Sequence, residues 1–150
     1  IVVVVLAIFL ARAWSRPEIP PVQIVRVAPT QAAILLAPGD SSTPGWLMTV
    51  DTLGNVRLDP KVRTDIQPDE AVQLWTRTPN DQVNRSLGLI DPNRPVTIPV
   101  AIMGTLQPDQ IFEMTLEQKD GSASGRPEGP VLFIGRVVTF GAQSSNTPLA

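Results

Sequence analysis

The chain has no cysteine, no histidine and no tyrosine in 150 residues. Their absence removes most of the side chains that carry out chemistry. Disulfides, thiolate or imidazole metal sites, cysteine nucleophiles and histidine-based triads are all excluded. What remains is carboxylate, hydroxyl and amide. Glu117 stands just before a glycine- and serine-rich stretch, Asp120-Gly121-Ser122-Ala123-Ser124-Gly125. A carboxylate placed there can cap or brace the loop. As an acid–base catalyst it would need a second carboxylate at a set separation, and no spacing in the sequence supplies one. The stretch itself lacks the lysine pattern of a P-loop and reads as a flexible loop. No catalytic residue, metal site or cofactor is therefore expected. A net charge of −2 and a pI near 5.0 provide no basic field for nucleic acid.

Any side chain with a role must be held by short elements, because 16 prolines and 10 glycines punctuate the chain. Runs with β character are Val22–Ala28, Ala32–Leu36, Trp46–Val50, Asn55–Leu58, Ala71–Thr78, Arg85–Ile90, Val96–Ile102, Ile111–Gln118 and Val131–Phe140. Turn signals such as Pro38-Gly39-Asp40, Leu53-Gly54-Asn55 and Asp91-Pro92-Asn93 separate them. That spacing predicts an all-β protein, an antiparallel β-sandwich of immunoglobulin-like or jelly-roll-like type.

Alternation sets the faces. Val72 and Leu74 point to the core, as do Phe112, Met114 and Leu116; Gln73, Trp75 and Glu113 lie on the opposite face, where substitution of Gln73 or Glu113 should cost little. Trp75 and Trp46 each either anchor a partner or pack in a second layer or under a loop. Gly54-Asn55 can supply positive φ angles to a tight hairpin turn. A near-repeat, Gln67-Pro68-Asp69-Glu70 and Gln107-Pro108-Asp109-Gln110, precedes two of the alternating runs. Either the two steps feed equivalent strands at the same end of a sandwich, or the likeness is chance.

The N-terminus differs from the rest. Ile1 to Leu10 is uninterrupted apolar sequence, followed by Ala11-Arg12-Ala13-Trp14. It is half of the roughly twenty residues that cross a bilayer. Three readings stand: the outer half of a transmembrane helix with Trp14 at the interface, a signal-peptide core cleaved near Ala13, or a buried β-strand. Arg12 and Arg16 just after the run weigh toward the cytoplasmic side. Residues 15–23, including Ser15, Arg16, Pro17, Glu18, Ile19, Pro20 and Pro21, form a proline-rich segment that reads as a semi-stiff tether and a candidate site of proteolysis. The expected organisation is a membrane segment at 1–14, the tether at 15–23, the β domain at 24–142 and a flexible tail at 143–150.

Several stretches, strongest over about residues 70–136, resemble the extracytoplasmic domain of the anti-sigma-K factor family. Gln73, Leu74 and Trp75 fall in a strand similar to that family's Tyr-Gln-Leu-Trp-Leu strand. Thr115, Leu116, Glu117, Gly121, Ser122, Pro127, Gly129, Pro130 and Gly135 match its later signature. Val72, Gln118, Asp120 and Glu128 depart from the pattern. The resemblance implies a single-pass protein of the inner (cytoplasmic) membrane. Its cytoplasmic domain, absent from this chain, holds an extracytoplasmic-function sigma factor, and the β domain lies outside. Site-1-type and intramembrane proteases release the sigma factor in steps. The alternative is an exported β-sandwich for adhesion or carbohydrate binding behind a signal peptide. An enzyme is disfavoured by the missing histidine, cysteine and tyrosine.

Overall fold

β-branched and aromatic residues alternate with small or polar ones through most of the chain. In a computed structural model that describes residues 30–40 and 42–141 they form strands. These are β1 (Thr30–Leu36), β2 (Pro44–Val50), β3 (Val56–Pro60), β4 (Glu70–Arg77), β5 (Arg85–Ile90), β6 (Val96–Ile98), β7 (Ile111–Gln118), β8 (Val131–Arg136) and β9 (Val138–Phe140). One helical turn, α1 (Val100–Met103), follows β6. The expected strands at Val22–Ala28 and in the apolar run, and the assignments for 1–14 and 15–23, lie outside the described residues. No helix among the described residues is long and apolar enough to cross a membrane.

The all-β, antiparallel reading holds, but the sandwich does not. Every pairing is antiparallel, and the strands form one sheet in the order β5-β4-β7-β8-β1-β2-β3-β6, with β9 also on β1. That sheet curls into a nearly closed barrel. Its two end strands, β5 and β6, are joined directly by residues 91–95, and Arg85 spans the seam at the other end. There its guanidinium donates to the carbonyls of Ile102 (3.1 Å) and Met103 (3.0 Å). Alternation alone does not distinguish the two architectures, because an inward face is apolar in both.

Two expected strands are broken. Val96–Ile102 stops at Ile98 because Pro99 supplies no N–H and starts a turn whose N–H groups return to Pro99 and Val100 carbonyls. Val131–Phe140 divides at Val137, whose N–H donates to Gln110 (2.8 Å) and whose carbonyl accepts from Asp109 (3.1 Å). On either side of that break β8 and β9 run along β1 in unchanged register, with Leu36 opposite Ile134 and Thr30 opposite Phe140.

The two Gln-Pro-Asp steps close with the same hydrogen bonds, although their third residues differ in backbone: Asp109 has positive φ (62°) and Asp69 does not. In each, the fourth residue's N–H returns to the first residue's carbonyl (3.1 Å for Glu70, 3.2 Å for Gln110). Each fourth side chain in turn accepts the first residue's N–H, at 2.8 Å for Glu70 and 3.0 Å for Gln110. They do not share an end. β4 and β7 are fully paired and antiparallel, with Glu70 opposite Gln118 and Arg77 opposite Ile111, so the turns sit at opposite ends of one strand pair. The likeness also goes further. β4 closes in a turn at Thr78–Asp81 and β7 in one at Gln118–Gly121. β4 has a bulge against β5 at Leu74/Trp75, and β7 has one against β8 at Met114/Thr115. All of these recur at one constant offset. The order β5-β4-β7-β8 is thus two hairpins related by a local two-fold through the Leu74–Met114 pair.

The core contains Leu35, Trp46, Met48, Leu58, Leu74, Phe112 and Met114. Leu116 is only half-buried. Trp46 lies within the core, and its indole N–H is without a hydrogen-bond partner among the described residues. Only Gly54, not Asn55, has positive φ in the 51–55 turn. Asn55 instead donates its side-chain N–H to Asp51 (2.8 Å) and accepts the Val100 N–H (3.0 Å). Chain direction places Thr30, residues 51–55 and 78–84, α1 and Phe140 at one end of the barrel. Residues 37–43, 61–69, 91–95 and 119–130 lie at the other.

Candidate functional site

On β4 the residues from Val72 to Thr76 are all buried, so both faces are covered. The barrel interior covers one. Residues 119–130, the connection from β7 to β8, fold back across the other like a strap. Cross-strand register places Gln73 opposite Thr115 and Ala71 opposite Glu117, and the side chains of Gln73, Trp75, Thr115 and Glu117 meet the strap as one polar network.

Trp75, fully buried, donates its indole N–H to the Thr115 hydroxyl (2.8 Å). Thr115 donates onward to one oxygen of Glu117 (2.6 Å). The same oxygen accepts the backbone N–H groups of Glu128 (3.1 Å) and Gly129 (3.2 Å). A carboxylate is suited to this place because its oxygens accept several donors at once and bind charge-assisted donors more strongly than an amide would. Gln73 holds the other end of the strap. Its carbonyl oxygen accepts the Ser122 N–H (2.8 Å), and its amide donates to Ser86 on β5 (2.7 Å). Gln73 and Glu117 are therefore buried parts of a tertiary lock. Gln73 is not the tolerant outward position that alternation predicts, because it is itself buried and its removal breaks the bonds that tie Ser122 of the strap and Ser86 of β5 to β4. Glu113 keeps one bond, from the Asn84 amide (3.1 Å).

Backbone contact completes the lock. The Leu116 N–H donates to the Pro130 carbonyl (3.0 Å). A Cβ on Gly129 would coincide with the carbonyl oxygen of Leu116, so only glycine lets the strap approach this closely. Gly121 turns with φ 88° beside Gln73, where a Cβ would come within 2.8 Å of the side-chain oxygen. Pro127 lies in the strap between these anchors, and Gly135 lies on β8 opposite Phe112. The structure thus brings Gln73, Trp75, Thr115, Glu117, Gly121, Ser122, Gly129 and Pro130 together. Leu74 and Leu116 are on the other face of the same strands. The tether residues Ser15 to Pro21 lie outside the described residues.

Within the strap, Ser122 donates its hydroxyl to the Arg126 carbonyl. The Glu128 carboxylate accepts the N–H groups of Ser124 (3.1 Å) and Ala123 (3.4 Å). Hydrogen bonding from the Ser124 hydroxyl above all, then from these N–H groups, holds its carboxyl below the ordinary value of 4.5. A lowered folded-state pKa gives stabilisation that is complete above 4.5 and lost as pH falls from there through the folded value. The expected result is that hydrogen-exchange protection at the Ala123 and Ser124 amides declines below pH 4.5. In Glu128→Gln it should be low and independent of pH over that range. Equal protection at pH 6 and pH 3 in the unsubstituted chain would remove Glu128 as the strap's internal brace.

Gln110 and Arg85 were not singled out by sequence reasoning. Gln110 is buried and donates to Thr76 (2.8 Å), whose hydroxyl donates to the Ile111 carbonyl (2.9 Å). Its signal was present in the repeated turn, where the fourth residue is a side chain able to fold back. For Arg85 there was no local signal, because its partners are the carbonyls of α1.

The lock presents no open cleft. One oxygen of the Glu117 carboxylate takes one hydroxyl and two backbone donors, an arrangement that fixes a loop against a sheet. Among the described residues, no cluster of acidic side chains could hold a metal ion.

The model of the family described as anti-sigma-K factor rskA, C-terminal, matches residues 1–131. The chain belongs to that family. The matched span takes in the apolar run, the proline-rich segment, the β4–β7 pair and the whole strap. It stops at the first residue of β8, so Gly135 lies beyond it. No curated protein and no solved structure is found to match. As a member of an anti-sigma factor family the chain falls among regulatory domains, which are typically not enzymes.

Proposed function

We infer that this chain is the extracytoplasmic, regulatory part of a single-pass membrane anti-sigma factor, and that its folded body controls cutting of the tether. The observation that carries the reading is the family match from residue 1 to residue 131, which joins the apolar run and the tether to the barrel in one family unit. On this reading residues 1–14 belong to the membrane helix, 15–23 are the tether, 24–142 the body and 143–150 a tail. The partners are the inner membrane, a sigma factor held by a cytoplasmic domain, a site-1-type protease and an intramembrane protease.

The physical logic is one of access. Proteases bind extended, unpaired backbone. In the body such backbone is scarce: the strands are laddered and the long β7–β8 connection is bonded down at both ends. Pro17, Pro20 and Pro21 of the tether carry no N–H to donate to a ladder and favour an extended form. A body that covers the tether or governs the approach of the protease acts as a gate between two states. Moving such a gate from 1:99 to 99:1 needs about 5.5 kcal/mol of differential binding, within the range of a protein contact.

In cells lacking the intramembrane protease, the first fragment formed on activation is expected to end between Ser15 and Ala28, as mapped by mass spectrometry. Deletion of residues 24–150 is expected to change expression of the sigma factor's targets. A first cut beyond Trp46 overturns the tether as the site. Unchanged expression on deletion overturns the regulatory role.

A further inference from the structure

The two ends of the barrel differ in kind. At the end where the chain enters at Thr30, the loop tips expose large apolar side chains: Leu53 (76% exposed), Ile102 (58%), Phe140 (56%) and Val83 (49%), with Val100 and Val138 beside them. The apolar end also carries Asp51, Asp81 and Asp109, but the loops of the opposite end are more densely charged, with Asp40, Lys61, Arg63, Asp91, Lys119 and Glu128 among them. No exposed large apolar residue occurs in those loops among the described residues. Apolar side chains grouped at one end of a small domain mark a surface that meets something other than water.

Two further observations identify what it meets. First, residues 1–29 lead into this end, and they begin with the apolar run Ile1–Leu10. Residues 11–29 between the run and Thr30 reach at most about 70 Å, so whatever surface takes the run stays within reach of the apolar end. Second, the polar backbone of these tips is already satisfied from within. Asp51 accepts the N–H groups of Leu53 (2.8 Å) and Asn55 (2.9 Å). Asn55 accepts the Val100 N–H (3.0 Å). Arg85 caps the carbonyls of Ile102 and Met103, and Asp81 accepts the Thr78 N–H on its carboxylate (3.2 Å) while its own N–H returns to the Thr78 carbonyl (3.1 Å). Unsatisfied backbone is what keeps loops out of a lipid interface, and here that cost is met by side chains of the same loops. Arg77, Arg85 and Arg136 lie at this end, behind the tips, at the level where guanidinium groups meet lipid headgroups.

We propose that this end of the barrel docks on the lipid bilayer, with Leu53, Val83, Ile102 and Phe140 entering the interface. The proposal rests on the reading of residues 1–14 as a membrane segment, and its test separates the two. The native chain has no cysteine, so single nitroxide labels can be placed at Leu53→Cys, Ile102→Cys and, on the charged end, Ser124→Cys. The full chain is reconstituted in vesicles of phosphatidylcholine and phosphatidylglycerol, and collision with oxygen and with a water-soluble nickel complex is measured for each label. The expected result is a shift toward oxygen and away from nickel at Leu53 and Ile102, with the Ser124 label staying accessible to nickel. If the chain floats with the vesicles but all three labels remain equally open to nickel, docking is overturned and the membrane segment stands. If the chain does not float, both fall. Spin–spin broadening between labels at Leu53 that grows with the protein-to-lipid ratio would assign the apolar end to a second copy of the chain and overturn docking on lipid.

Discussion

Trp75→Ala is expected to destabilise the domain by about 3–5 kcal/mol, the cost of emptying a fully enclosed aromatic site. Trp75 has no exposed surface and is bonded to Thr115 of β7, so its removal leaves an enclosed void. The void also loses a donor. The Thr115 hydroxyl no longer receives the indole N–H, although it still donates to Glu117. Trp75→Phe separates these parts, because it keeps most of the volume and discards only the hydrogen bond, worth about 0.5–1.5 kcal/mol net. Denaturant midpoints followed by circular dichroism read both. A Trp75→Ala loss below about 1 kcal/mol would mean the strap collapses into the void and that the indole is not what holds the second layer apart.

Gly129→Ala is expected to cost about 3 kcal/mol or more, the upper end of overpacking. The added methyl would coincide with the Leu116 carbonyl oxygen. Backbone on both sides offers no rotamer through which to escape. The strap must lift, which breaks the Glu117 bonds to Glu128 and Gly129 and the Leu116–Pro130 bond together. Since Trp75 is linked to the same segment through Thr115 and Glu117, the double variant should lose clearly less than the sum of the two singles. Exact additivity would show that the two sites do not share the strap.

How much of this was legible follows from range. The Trp75 strand, its partner strand at residues 111–118 and the inward set Val72, Leu74, Phe112 and Met114 come straight from a period of two, which is local. What covers Gln73 and Trp75 is not local. It arrives from residues 119–130, and a glycine–serine stretch reads as loose until its anchors are known. Glu117 reads from the sequence as a cap or brace for Gly121-Ser122; in the structure its backbone partners are Glu128 and Gly129, at the strap's far end, and Ser122 goes to Gln73. Barrel and sandwich share the same alternation, and the choice between them turns on β1 finding β8 and β9 from the far end of the sequence. The repeated Gln-Pro-Asp step was visible as letters. Its meaning depended on strand pairing, because two strands entered by the same turn and laid antiparallel must carry those turns at opposite ends. Proline at position 99 announced the end of β6 directly. The break at Val137 had no such sign, since it is imposed by Gln110 and Asp109.

The position of β1 also decides how the body responds to tension. β1 is the first strand of the described residues, and it is flanked by β2 on one side and by β8 and β9 on the other. A pull on Thr30 resisted at the charged end of the barrel runs along the strand axis and loads those ladders in parallel, so many hydrogen bonds must shear together. A pull between Thr30 and Phe140, which lie opposite each other on adjacent strands, loads the same β1–β9 ladder one bond at a time from its end. The fold is therefore stiff toward force transmitted lengthwise through the barrel and compliant toward force that parts its two chain ends.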